Sequence, residues 1–313
     1  MPVGANIPLV IQLGRWRRQA TIANVVACTE TVAPAALTHL PRNGSEGDLP
    51  KIAIATGQQD AIECLLRKIG IDDLEFSAPS GGGHVQLYSG MTLPGAALSG
   101  SPTEDALWGT QAALFQYDMV LLPCQGAAEA LSDSARQNLM SYASAGGRVF
   151  ATHWGRSWLS ASPFSQTASF VSPGGASLAD QNVFLDTSFA GGAELSQWLS
   201  FTQASVTPGE IPLTGLRNDL NSVNQASAQS WLTVNDSVVG TTPVLYSFET
   251  PVGAAAVQQC GRVVYADLES EITHTAAKSF PAECLSGSMT PTEKLVEYFL
   301  FGMETCAGEV SGN

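Results

Sequence analysis

The feature that most constrains this chain is an alternation of short, wholly apolar runs with amphipathic helical stretches. Ile52-Ala53-Ile54-Ala55 is a β run ending at Thr56-Gly57, and Asp60 to Gly70 follows as an amphipathic helix closed by its glycine. Tyr117-Asp118-Met119-Val120-Leu121-Leu122-Pro123 is again a buried strand. Ser132 to Ala145 then reads as a helix capped by Ser132 and stopped by Gly146-Gly147, and Arg148 to Thr152 is the next strand. Strands without a polar face need cover on both sides, and helices between them make parallel crossovers. The fold class is therefore α/β: a doubly wound, mostly parallel, flavodoxin-like sheet with helices on both faces. Ligands of such a sheet sit at the carboxyl ends of its strands.

The rest of the chain is organised around this unit. Residues 1–28 read as a β-hairpin or strand pair, Ile7 to Leu13 and Ala20 to Val26, with the Arg15, Arg17 and Arg18 cluster as a charged β-edge. Residues 29–50, rich in Pro, Thr, Asn and Gly, form a linker. The α/β domain is expected over 51–306, with an irregular insertion or lid at about 160–240 and a tail at 307–313. Within the insertion only Gly192 to Phe201 reads as a helix. Strands return at Val244 to Phe248 and Gly261 to Asp267, and a helix from Thr290 to Met303 opens with Thr290-Pro291-Thr292-Glu293, the mark of a capping box. The glycine-rich loop Pro79 to His84 precedes a strand instead of opening a helix, so it is not a phosphate-binding fingerprint.

Charge and cysteine usage bound the partners. Fourteen Lys and Arg stand against 28 Asp and Glu, a net charge of -14, so there is no basic field for nucleic acid or an anionic membrane. No apolar run reaches the 18 or so residues of a transmembrane helix. The start, Met1 to Pro8, lacks the regions of a signal peptide. Charged residues make up 13%, half of the usual share, which leaves Ser, Thr, Asn and Gln to keep the surface wet and favours an extracellular or envelope location. Six cysteines without CxxC or any metal-ligand spacing argue against a metal site and for disulfides in an oxidising compartment. Of the 15 pairings six cysteines allow, bridges among Cys260, Cys284 and Cys306 are expected. No cofactor is expected.

The stretch Tyr117 to Pro123, then Leu131-Ser132-Asp133 through a helix to Gly146-Gly147-Arg148-Val149-Phe150-Ala151-Thr152-His153-Trp154-Gly155, resembles the central units of the class I glutamine amidotransferase-like superfamily, in particular its ThuA-like branch. Gly261 to Asp267 and the final helix are similar to its closing portion. The resemblance covers roughly 50–160 and 240–305. The whole chain resembles bacterial surface proteins in which such a domain follows a carboxypeptidase regulatory-like β-sandwich, and this resemblance makes residues 1–28 the last strands of that sandwich. In the amidotransferases a nucleophilic Cys sits in an x-x-Cys-x-Gly elbow between strand and helix. Here Ala151-Thr152-His153-Trp154-Gly155 keeps the glycine and places His153 at the nucleophile position, as the ThuA-like branch does. The later His-x-Glu pair has no match, the region reading Asp267-Leu268-Glu269. The resemblance therefore implies a fold that keeps the elbow without glutamine hydrolysis.

His153 is the candidate catalytic residue, at the carboxyl end of a central strand. A nearby helix N-terminus is expected to hold its imidazole neutral, able to take a proton, a metal or a sugar hydroxyl. Binding candidates are Cys124 and Gln125 just past the 117–123 strand, Trp154 and Arg156 after the elbow, and Asp267 with Glu269, which share one face by period two. Trp154 and Trp158 also carry the spacing of core residues. The leading expectation is a secreted or cell-surface binding protein with a catalytically inactive amidotransferase-like domain, its ligand a carbohydrate or a surface protein. The alternatives are an envelope enzyme acting on a carbohydrate or related small molecule with His153 as base or ligand, and a structural, self-assembling surface protein.

Overall fold

The computed structural model describes residues 3–270 and 279–303. Strands β1 (Gly4–Leu13) and β2 (Trp16–Val25) form an antiparallel hairpin, and the short β3 (Gly47–Asp48) pairs with β2. Gly14 opens the two-residue turn at φ +55°, the conformation that such turns reserve for glycine. The hairpin stands outside the main sheet but not apart from it. Trp16, 3% exposed, packs edge-on against Phe301 at 5.4 Å, and Arg15 pairs with Asp118 at 2.9 Å.

The first half of the α/β unit supplies β4 (Ile52–Thr56), β5 (Phe76–Ser77), β6 (Val85–Ser89), β7 (Met119–Leu122) and β8 (Arg148–Thr152). The second half adds β9 (Ala168–Phe170), β10 (Gln181–Leu185), β11 (Glu210–Leu213), β12 (Leu220–Val223), β13 (Gln229–Asp236), β14 (Gly240–Thr250) and β15 (Gly261–Ala266). One sheet of ten strands runs in the order β11-β10-β13-β14-β15-β8-β7-β4-β6-β5. From β15 to β5 every pair is parallel; from β15 outward to β11 every pair is antiparallel. Chain order reverses between β4 and β7, and the crevice beyond that point is where an open α/β sheet takes its ligands.

The apolar runs are apolar because both faces of the sheet are covered. Ile52 and Ile54 point into one core with Leu65, Leu195 and Leu295, carried by the helices Ile62–Lys68, Ala190–Phe201 and Pro291–Gly302. Ala53 and Ala55 point into the other, with Leu139, Tyr142 and Trp158. The helix Asp133–Ser144 starts where Ser132 accepts the Ala135 N–H, as the sequence predicts. The capping box of the final helix is also formed: Thr290 Oγ1 accepts from Glu293 N at 3.1 Å and the Glu293 carboxylate from Thr290 N at 2.7 Å. The second Glu293 oxygen takes Lys68 Nζ at 2.7 Å, tying the last helix to the first.

Two expectations change. The 160–240 stretch is more regular than its sequence suggests, because β10, β11 and β13 extend the main sheet and β9 pairs with β12. Cys284 is bridged, but to Cys64 of the first helix and not to a late cysteine. The sheet brings that helix beside the 279–285 loop across a sequence separation of 220, which no local pattern encodes. Cys306, the third cysteine of that expectation, lies outside the described residues. Among the described residues no helix is long and apolar enough to cross a membrane.

Candidate functional site

Three neighbouring parallel strands, β7, β8 and β15, deliver Cys124, His153 and Glu269 to one point at their carboxyl ends. The chain turns sharply after β8: His153 takes φ +35°, a region an L side chain adopts only when its surroundings hold it there. Gly155 makes the turn possible, since a Cβ there would stand 2.7 Å from the Leu122 carbonyl oxygen. The elbow read from the sequence is thus present, with an imidazole at its tip.

That imidazole is 1% exposed and surrounded. Cys124 Sγ lies 3.1 Å from Nδ1 and Glu269 Oε1 3.0 Å from the same nitrogen. On the far side Asp219 Oδ2 comes within 3.2 Å of Nε2, an ion-pair contact more than an aligned hydrogen bond. Burial disfavours the imidazolium, yet Asp219, Cys124 and Glu269 together outweigh it and lift the pKa to about 11. The expectation of a neutral imidazole is reversed because two carboxylates, Asp219 and Glu269, face the ring. The same charge holds Glu269 below the usual carboxylate range, against some desolvation. At Asp219 burial pushes upward, but His153, the Gly175 N–H and Arg156 win and keep the carboxyl low.

Asp219 is the residue of this cluster that the sequence reading missed. It precedes β12 in the segment with the weakest periodicity, and only its place in the fold reveals it. Its Oδ1 takes Arg156 Nε at 3.0 Å and the Gly175 N–H at 2.9 Å. Arg156 is buried, lies over the Trp154 ring at 4.6 Å and donates to the Pro173 carbonyl at 2.5 Å. It ties the 173–175 loop to Asp219. Trp154 is half-buried beside His153, at 5.2 Å between rings, whereas Trp158 is wholly core, against Trp108.

The remaining candidates separate. Gln125 is 1% exposed and ties the exit of β7 to Glu104 and, through Oε1, to the Thr92 N–H at 3.0 Å. Asp267 and Glu269 do not act as a pair: Glu269 reaches His153 with a side chain 27% exposed, while Asp267 is sealed in the core. Behind the site, Thr152 Oγ1 accepts the Cys124 N–H at 2.9 Å and donates to Asp60 at 2.5 Å, and Asp60 also takes the Ser270 hydroxyl. This buried chain fixes the three strand ends relative to one another.

Asp267 gives the site a measurable pH signature. Its Oδ2 accepts the Leu220 N–H at 2.7 Å, and Tyr265 Oη stands 2.9 Å from both its Oδ1 and the His153 carbonyl oxygen. One hydroxyl proton cannot serve two acceptors, so a proton on Asp267 completes the set. Burial, reinforced by the Asp219 charge, pushes the carboxyl up to about 7. A carboxyl with a raised folded pKa stabilises most below its unfolded value near 4, and that contribution is lost as pH rises through about 7. Asp267→Asn is therefore expected to flatten part of the fall in stability between about pH 4 and 7, read from urea unfolding at several pH values. A variant curve parallel to the wild type excludes this assignment.

No family model matches the chain, and no curated protein matches its sequence. Among solved structures it is similar to a putative ThuA-like protein from Parabacteroides merdae, over 84% of this chain and 92% of that one, with 13% identity and a TM-score of 0.44. A cytoplasmic protein from Salmonella typhimurium is similar over 96% and 93%, with 11% identity and a TM-score of 0.40. A second putative ThuA-like protein, from Bacteroides uniformis, is similar over 84% and 95%, with 13% identity and a TM-score of 0.41. Likeness of this size leaves the chemistry to be read from the chain's own residues.

Proposed function

We propose that this chain is a binding protein of an oxidising compartment, the envelope or the exterior, that takes a polar small molecule, first of all a carbohydrate, at the carboxyl edge of its sheet. We further propose that it does not hydrolyse glutamine. The observation that carries this reading is the convergence of Cys124, His153 and Glu269 on one point beside a half-buried tryptophan, where an open α/β sheet places ligands. Glu269, its side chain 27% exposed, offers acceptors for sugar hydroxyls, and the half-buried Trp154, with Arg156 over its ring, offers its remaining apolar surface beside His153. The imidazole at the elbow position, where amidotransferases carry their thiol, supports binding over acyl transfer. The Cys64–Cys284 bridge and the low share of charged residues support the compartment.

A glycan array followed by calorimetric titration tests this. Trp154→Ala and Glu269→Gln are each expected to weaken the glycan found by about tenfold, or 1.4 kcal/mol, with the melting temperature nearly unchanged. Equal affinity in both variants would move the ligand away from this edge. Ammonia release from glutamine should stay at background; release that disappears in Cys124→Ala would overturn the second half of the proposal.

A further inference from the structure

We infer that Cys124, His153 and Glu269 form a three-ligand site for a zinc-like divalent cation. The inference deepens the binding reading above and rests on this edge being the ligand site.

The donor atoms lie close to the spacing a metal needs. Sγ to Nδ1 is 3.1 Å, Nδ1 to Oε1 is 3.0 Å and Sγ to Oε1 is 3.9 Å. Bond lengths of about 2.0–2.3 Å to a tetrahedral zinc set ligand-to-ligand edges of roughly 3.3–3.8 Å. Two edges fall short of that range and one lies just beyond it, and shifts of a few tenths of an ångström bring all three inside. A cation at the centre of this face takes the place of the proton shared on Nδ1.

The donor types narrow the choice of metal. Thiolate, imidazole and one carboxylate suit zinc and its neighbours, whereas calcium and magnesium require an all-oxygen shell with more ligands. A thiolate and a carboxylate together neutralise a divalent charge. Three protein ligands leave one position for water or a ligand hydroxyl, the arrangement of a working site and not of a purely structural one.

The surroundings are those of a built site. Asp219 faces the outer nitrogen of His153 at 3.2 Å, the carboxylate behind a metal-bound imidazole that fixes its tautomer and orientation. The Gly126 N–H donates to Cys124 Sγ from 3.3 Å and orients the sulfur. The Thr152, Asp60 and Ser270 chain holds the three strand ends in place. Glu269, with its side chain 27% exposed, provides the way in. The other cluster of this composition, Cys64, Glu283 and Cys284, has its two sulfurs bonded to each other and is no competitor.

The test uses the full chain, stripped with a chelator, reloaded with zinc and analysed for metal after gel filtration. One zinc per chain is expected. Cobalt loading should give a thiolate-to-metal charge-transfer band and the visible spectrum of a four-coordinate ion. Cys124→Ser should abolish the band, and Asp219→Asn should weaken zinc by about 10- to 100-fold. Glu269→Gln, changed at a partly exposed position, keeps the fold and should lose affinity, so the test survives if the buried variants do not fold. Chains that take up no zinc, or a Glu269→Gln variant that binds it as tightly as the wild type, overturn the inference. Glycan binding by a protein that takes no metal would sink this inference alone. Metal uptake by a protein that binds no glycan would sink only the carbohydrate reading.

Discussion

Replacing Asp219 by Ala is expected to destabilise the protein by about 3–5 kcal/mol, the cost of leaving buried charge without its partner. The carboxylate is 1% exposed in its side chain and serves three groups at once: the His153 ring, the Arg156 guanidinium and the Gly175 N–H. Its loss leaves the buried Arg156 guanidinium without its counter-ion and His153 with Glu269 as its remaining carboxylate. Asp219→Asn keeps an acceptor for Gly175 and should cost less; its own loss measures mainly the charge, and the difference between the two variants measures the contacts the amide retains. Urea unfolding at neutral pH provides both values. A loss below about 1 kcal/mol for the alanine variant, the level of a surface ion pair, would show that the site does not depend on this residue.

The second large effect concerns the Cys64–Cys284 bridge. It closes a loop spanning a separation of 220 residues, for which the chain-entropy relation gives about 5 kcal/mol. Cys64→Ser with Cys284→Ser is expected to lose about 3–5 kcal/mol and to melt well below the wild type. Adding reductant to the wild type should have a similar effect. Calorimetry with and without reductant decides it: a melting temperature indifferent to both treatments would mean that the bridge adds nothing to stability.

The central unit was legible because it is buried on both faces, so its strands read as unbroken apolar runs and its helices carry their own start and stop residues. Ser132, the Thr290 box and the glycine at 155 each announce a backbone event within four residues of themselves. His153 and Cys124 were legible for the same reason, as the first residues past recognisable strands. Asp219 was not. It directly precedes β12, four residues of a separate two-stranded sheet with β9, in a stretch where short strands stand among Ser, Thr and Gly. The convergence of Cys124, His153 and Glu269 was hidden in another way. They lie 29 and 116 residues apart in sequence, and only the pairing of β7, β8 and β15 makes them neighbours. A search by ligand spacing along the chain passes over any site built across strand ends.

The order of the main sheet places short strands at both rims: β5, two residues long, on one side, and β11, four residues with a proline at 212, on the other. Backbone pairing propagates from chain to chain only along a rim that offers a run of free N–H and C=O groups, and proline removes a donor from such a run. Neither rim offers one, so a sheet of this breadth does not act as a template for its own copies. Among the described residues, the long border that remains is β1, ten residues on the outside of the hairpin and interrupted by Pro8. Growth by strand addition, if a destabilised variant showed it, would start from the hairpin and leave the large sheet intact.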